Sequence, residues 1–176
     1  EPLSRLAAPR VAMVMNAGTA HLGGMGSREA IAVEKCSIAQ GLQPAGLFVV
    51  HGDQDHLFRE ALRQAMPPSG KLYGFGTRGL NAFRLLGRAP RPDGGQTVLA
   101  DTPHGRVEFT LALPGAHNAM NAVGALAALA SLGLPVDVVT RAFGTVAPAD
   151  MRLVRGDVGG VAVFNDAYNA NPDSVL

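Results

Sequence analysis

The 176-residue chain has one cysteine, no tryptophan and two tyrosines. A lone Cys36 excludes an intrachain disulfide and any metal site built from several thiolates, and it favours a reducing, cytoplasmic setting. Charge is scarce as well, at 16% of residues with a formal net charge of +1 and no block of one sign, so neither nucleic acid nor an anionic membrane surface is indicated as a partner. No apolar run approaches the ~20 residues of a membrane-spanning helix, and the opening Glu1-Pro2 lacks the charged-then-apolar order of a signal peptide. Also missing is any Gly-x-x-Gly-Lys-Thr or longer Walker-type loop that could cradle phosphates. Apolar residues are what the chain has in quantity, at 47%, which is too many for disorder and enough to bury a core. A globular domain with small-molecule ligands fits this balance.

The run Arg10 to Met15 is apolar and short, as expected of a buried parallel strand, and it ends on Asn16-Ala17-Gly18. Arg28 to Gln40 has helical spacing, with Ser27 as N-cap and Glu29 in the first turn. A second strand, Gly46 to Val50, leads through His51-Gly52-Asp53 to a helix from about 55 to 65 that stops before Pro67-Pro68. This alternation predicts an α/β sheet, mostly parallel with flanking helices. From Lys71 to Leu113 the pieces Leu72 to Phe75, Gln96 to Ala100 and Val107 to Leu113 read as a small antiparallel appendage. Asn118 to Leu132 is an alanine-rich helix closed by Gly133, and another helix lies near Val136 to Gly144. A boundary is expected at Ala147-Pro148, which would also serve as a hinge. Beyond it come a new strand, Gly159 to Phe164, and a polar loop over 165–173. The ends of the chain read as those of a fragment.

Three polar clusters stand at strand ends or helix starts, where open α/β sheets bind ligands. The first holds Asn16, His21 and Lys35. By residue type alone, His21 is an ordinary loop histidine and Lys35 a solvated helix lysine. The second is Pro114-Gly115-Ala116-His117-Asn118-Ala119-Met120-Asn121, in which Asn118 and Asn121 are three apart on one helical face, so both amides can reach one ligand. Its bland reading is a capped helix with a polar outer face. The third is Asn165-Asp166-Ala167-Tyr168-Asn169-Ala170-Asn171-Pro172-Asp173-Ser174, preceded by Met151-Arg152. Here Asp173-Ser174 could be no more than a helix cap.

Taken in order, these clusters resemble the Mur ligase family and its folylpolyglutamate synthase relatives. The matching features are a strand ending in Asn, a following Ala-His, a lysine about fourteen residues on, then Pro-Gly-x-His-Asn-x-x-Asn, and finally Tyr-Asn-Ala-Asn-Pro-Asp-Ser. The last stretch is most similar to the branch that joins D-alanyl-D-alanine to UDP-N-acetylmuramoyl-tripeptide. Departures occur at Asn165 and Ala167, where the family usually has Asp and Ser, at Met151, and at His51-Gly52-Asp53, where Asn-Ala-Asp is usual. Glu34-Lys35 is slightly closer to the synthase variant.

The resemblance implies that residues 1–147 are the C-terminal portion of a central ATP-binding domain and residues 148–176 the beginning of a Rossmann-like C-terminal ligase domain. It implies an ATP-dependent ligase of peptidoglycan synthesis. In the family the lysine is carbamylated, so Lys35 and His21 are the expected magnesium-side and catalytic residues, with Asn16 supporting that loop. His117, Asn118, Asn121, Arg152, Asp166, Tyr168, Asn169, Asn171 and Pro172 are the expected nucleotide contacts. ATP and Mg2+ are the implied cofactors, and UDP-N-acetylmuramoyl-tripeptide and D-alanyl-D-alanine the partners. Without the phosphate loop these residues alone are expected not to turn over. The alternatives are a synthase-like ligase using glutamate, and a non-catalytic degenerate module.

Overall fold

The computed structural model describes residues 2–18, 22–149, 152 and 154–168. Short α1 (Pro2–Ala7) precedes β1 (Val11–Val14), α2 (Leu22–Met25) and α3 (Arg28–Cys36). Ser27 accepts a hydrogen bond from the Ala30 amide, which makes it the N-cap the sequence predicts, but the α-helix stops at Cys36 and tightens into a 3-10 turn over Ser37–Gly41. Then follow β2 (Leu47–His51), α4 (His56–Ala65) capped by Asp55, β3 (Lys71–Gly76), β4 (Phe83–Pro90), β5 (Gln96–Thr102), β6 (Gly105–Leu111), α5 (Ala116–Ser131), α6 (Val136–Phe143), β7 (Val154–Val158) and β8 (Val161–Asn165).

Strands β1 to β6 form one sheet in sequence order, with β1 to β4 parallel and β4, β5 and β6 antiparallel. Two expectations are corrected here. Leu72 to Phe75 lies within β3, which belongs to the parallel part through its pairing with β2, and the antiparallel region is a continuation of the same sheet. Its first strand, β4, was not foreseen. Only Phe75 and Gly76 of β3 pair with β4, so the rest of β4, and β5 and β6 with it, runs on past the C-terminal end of β3.

Side-chain alternation divides the core in two. Ala12, Val14, Phe48 and Val50 point to the face covered by α3, the 3-10 turn and α4, where they meet Ala32, Cys36, Ala39, Phe58, Ala61 and Leu62. Leu47, Val49, Phe75, Phe83 and Val98 point to the face covered by α5 and α6. The close approach of α5 depends on Gly124, where an added Cβ would lie 3.0 Å from the Phe75 ring. Burying an aromatic side chain such as Phe48 or Phe75 stabilises the fold by roughly 1.5–3 kcal/mol.

Among the described residues, the remaining strands pair only with each other. Gly159-Gly160 is not the start of a strand, as its apolar neighbours suggest, but the two-residue turn of the β7–β8 hairpin, with both residues at positive φ (61° and 82°).

Candidate functional site

The C-terminal ends of β1, β2 and β3 are tied to one another by side chains. Gln54 accepts from the Ala17 amide with Oε1 (3.2 Å) and places Nε2 3.1 Å from His51 Nδ1. The His51 ring stacks on Phe75 with centroids 5.2 Å apart. Burial pushes the His51 pKa below its ordinary value, against the opposing pull of the Asp53 carboxylate and the Met15 carbonyl. A neutral ring can accept the Gln54 hydrogen bond. Asp53 then clasps the loop after β3, accepting from the Thr77 amide (2.6 Å), the Thr77 hydroxyl (2.8 Å), the Arg78 amide (3.3 Å) and Asn81 Nδ2 (2.8 Å). Burial alone would raise the Asp53 pKa, yet these donors outweigh it and hold the carboxyl below its usual value. Gly52 is required there, since a Cβ would sit 2.0 Å from Asn81 Oδ1.

Beside this clasp, α3 carries Lys35 back toward β1, and Lys35 Nζ donates to the Asn16 carbonyl at 2.8 Å across 19 positions of sequence. The structure thus brings Lys35 and Asn16 together. His21, the third member of that cluster, lies outside the described residues. In its ammonium form Lys35 only donates and cannot ligate a cation. Among the described residues no three His, Cys, Asp or Glu side chains gather in a way that could hold a metal ion.

The start of α5 faces the same end of the sheet. Its C-terminal residues Ala130 and Ser131 share a cavity with Arg10, Gly46 and Lys71 at the N-terminal ends of the strands, and Gly124 lies against Phe75 and Met15. The first turn of α5 therefore projects beyond the C-terminal ends. It begins at Gly115, whose φ of 95° suits glycine and where a Cβ would come 2.8 Å from the His117 ring. Asn118 is not the N-cap; it lies inside the helix and its Nδ2 donates back to the Pro114 carbonyl at 2.7 Å. His117 and Asn121 are exposed. Amides in such a first turn lack partners within the helix and suit an anionic ligand.

In the third cluster the Arg152 guanidinium lies over the Tyr168 ring, 4.3 Å from its centroid. Asp166 is exposed, and Asn165 Oδ1 accepts from the Ala167 amide. Asn169, Asn171 and Pro172 fall outside the described residues. Two cavities, of about 480 and 640 Å³, both include His104 and Ala130, and among the described residues no expected site residue lines either one.

Sequence reasoning passed over the Asp53 clasp and Gln96. The latter is 1% exposed in β5, and its Nε2 donates to the carbonyls of Leu113 (2.7 Å) and Gly115 (2.9 Å). A signal was available: Gln96, Val98 and Ala100 alternate onto one buried face, so a glutamine in phase with core positions calls for a polar partner.

Residues 1–129 match the Mur ligase middle domain. The chain is 34% identical over 177 residues to the UDP-N-acetylmuramoyl-tripeptide--D-alanyl-D-alanine ligase of Bacillus subtilis, covering 98% of this chain and 36% of that one. It is 32% identical to the enzyme of the same name from Mycobacterium tuberculosis (98% and 34%). Among solved structures, MurF from Acinetobacter baumannii superposes with a TM-score of 0.86 at 28% identity, covering 98% of this chain and 37% of that one. MurF ligase from Thermotoga maritima, solved with ADP, shares the fold at TM-score 0.81 and 24% identity (98% and 38%). The chain spans about a third of the length of these relatives.

Proposed function

We propose, on the premise that this chain belongs to the Mur ligase family, that its full-length parent couples ATP hydrolysis to joining D-alanyl-D-alanine to UDP-N-acetylmuramoyl-tripeptide in peptidoglycan synthesis. In the first half-reaction the terminal carboxylate of the tripeptide attacks the γ-phosphorus of ATP and ADP leaves, giving an acyl phosphate. In the second, the dipeptide amine attacks the acyl carbon, loses a proton, and inorganic phosphate departs as the amide forms. Positioned dipoles and cations carry most of the catalysis in such transfers.

The observation that carries this reading is the Lys35–Asn16 contact at the end of β1, on the side of the sheet toward which the first turn of α5 projects. We assign Lys35, once carbamylated, and His21 to the magnesium side, with Asn16 supporting their loop. Carbamylation would turn the Lys35 donor into an oxygen acceptor, the ligand chemistry magnesium prefers. Bound magnesium would supply charge neutralisation between phosphates and carboxylate. His117, Asn118 and Asn121 would meet the nucleotide at the first turn of α5. Arg152 and Tyr168 would form a cationic and aromatic platform beside it, with Asp166, Asn169, Asn171 and Pro172 completing the contact.

We further read residues 1–147 as part of the ATP-binding domain and 148–176 as the start of the ligase domain, hinged at Ala147-Pro148. This is in keeping with a hairpin that pairs with no strand of the main sheet. Closure there would exclude water from the acyl phosphate. Among the described residues no helix is long and apolar enough to cross a membrane, and we place the reaction in the cytoplasm.

A folylpolyglutamate synthase from L. casei shares the fold at TM-score 0.76 and 16% identity, so the decisive test offers both acceptors. ADP release by the full-length parent, given UDP-N-acetylmuramoyl-tripeptide, should depend on D-alanyl-D-alanine. Release that depends on glutamate instead would move the protein to the synthase branch, and no release with either would make it a non-catalytic module.

A further inference from the structure

Gln96 is the most deeply buried polar side chain among the described residues, 1% exposed at the first position of β5. Its amide spans the loop that feeds α5, with Nε2 donating to the carbonyl of Leu113 at 2.7 Å and to that of Gly115 at 2.9 Å. Both protons of the NH2 group are thereby used. The other half of the amide is not, because Oε1 is buried with no hydrogen-bond partner among the described residues.

Burying an acceptor without a partner costs free energy that an apolar side chain of similar shape would not incur. The arrangement therefore favours the loop at the expense of the core. Gly115 stands at the N-cap position in a left-handed conformation, and among the described residues no side-chain hydrogen bond caps the helix. Gln96 fixes from below a turn that has no cap of its own, and this turn decides where the backbone amides and side chains of His117 and Asn118 point.

We propose that Gln96 is a positioning residue for the nucleotide end of α5, acting through Leu113 and Gly115 to pre-organise the first helical turn for an adenine nucleotide. This rests on the nucleotide reading above. Fixing the turn before binding spares the cost of ordering it on binding, so losing the clamp weakens nucleotide affinity more than it weakens the fold.

The test uses the full-length parent with Gln96→Met, which keeps the length of the side chain and removes both donors. Three quantities are measured: ADP affinity by calorimetry, KM for D-alanyl-D-alanine, and hydrogen exchange over residues 115–119. ADP should bind about tenfold more weakly and the exchange should speed up, while the dipeptide KM stays within about twofold. Gly115→Ala disturbs the same turn from outside the core and should weaken ADP similarly, and the double variant should be no worse than either single one, because both act on one element. Normal ADP affinity and unchanged exchange in Gln96→Met, or losses that add in the double variant, would overturn the clamp. A wild-type protein that binds no ADP would instead overturn the nucleotide reading itself, and faster exchange in Gln96→Met would still show that the turn depends on the amide.

Discussion

The six-stranded body and the β7–β8 hairpin come from one chain yet are held together by different means. In the body both faces of the sheet are covered, and the strand ends are tied by Gln54 and by the Asp53 clasp. In the hairpin the turn chemistry suits a tight reversal, but Val158, Val161, Val163 and Phe164 are all at least 41% exposed. Backbone pairing without a buried face is marginal for a two-stranded ribbon. The difference teaches where polar residues are tied into the fold and where they are not. Asp53 and Asn81 satisfy neighbouring loops, whereas Arg152 and Tyr168 on the flanks of the hairpin meet each other and solvent.

The sharpest way to break this comparison is to cut the body where its parts meet. Phe75 is fully buried, stacks on His51 and packs under Gly124, so Phe75→Ala should cost about 3–5 kcal/mol in denaturant unfolding. Val163→Ala in the hairpin should stay within about 0.5 kcal/mol. Equal losses at the two positions would refute the contrast.

A smaller effect is expected from acid. His51 has its folded pKa below the ordinary 6.5, so the unfolded chain takes up a proton that the folded one resists, and stability should decline as pH falls from about 6.5. For Asp53 the folded pKa lies below 3.8, so its contribution is present above that pH and is lost as pH falls through the folded value. Melting temperature followed from pH 7.5 to 3 should show both limbs, and His51→Asn should flatten the upper one. An upper limb of unchanged slope in that variant would remove His51 from the account.

Much of this was legible in the sequence because it rests on local pattern. The apolar runs ending at Met15 and Val50, the Ser27 cap and the alanine-rich helix closed by Gly133 each announce their element. What failed depended on non-local pairing. Leu72 and Tyr73 are exposed although β3 sits inside the sheet, so nothing in their texture distinguishes a parallel partner from an antiparallel one. Strand β4 carries two arginines, a glycine at its register shift and a terminal proline, which together hide its pairing. At the site, Lys35 and Asn16 could be named from the family resemblance, but their contact is made by the packing of α3 against the sheet. The Asp53 clasp joins positions 24 to 28 apart, beyond the reach of any local motif.

On the proposed function, the Lys35–Asn16 corner would be the working end of an ATP-dependent ligase. Dipeptide-dependent ADP release should be measured for the full-length parent beside Lys35→Ala and Lys35→Arg. The account predicts that both substitutions lower kcat by at least about 100-fold with the melting temperature little changed, since arginine keeps the charge but cannot become a carbamate. Full activity in Lys35→Ala would contradict it.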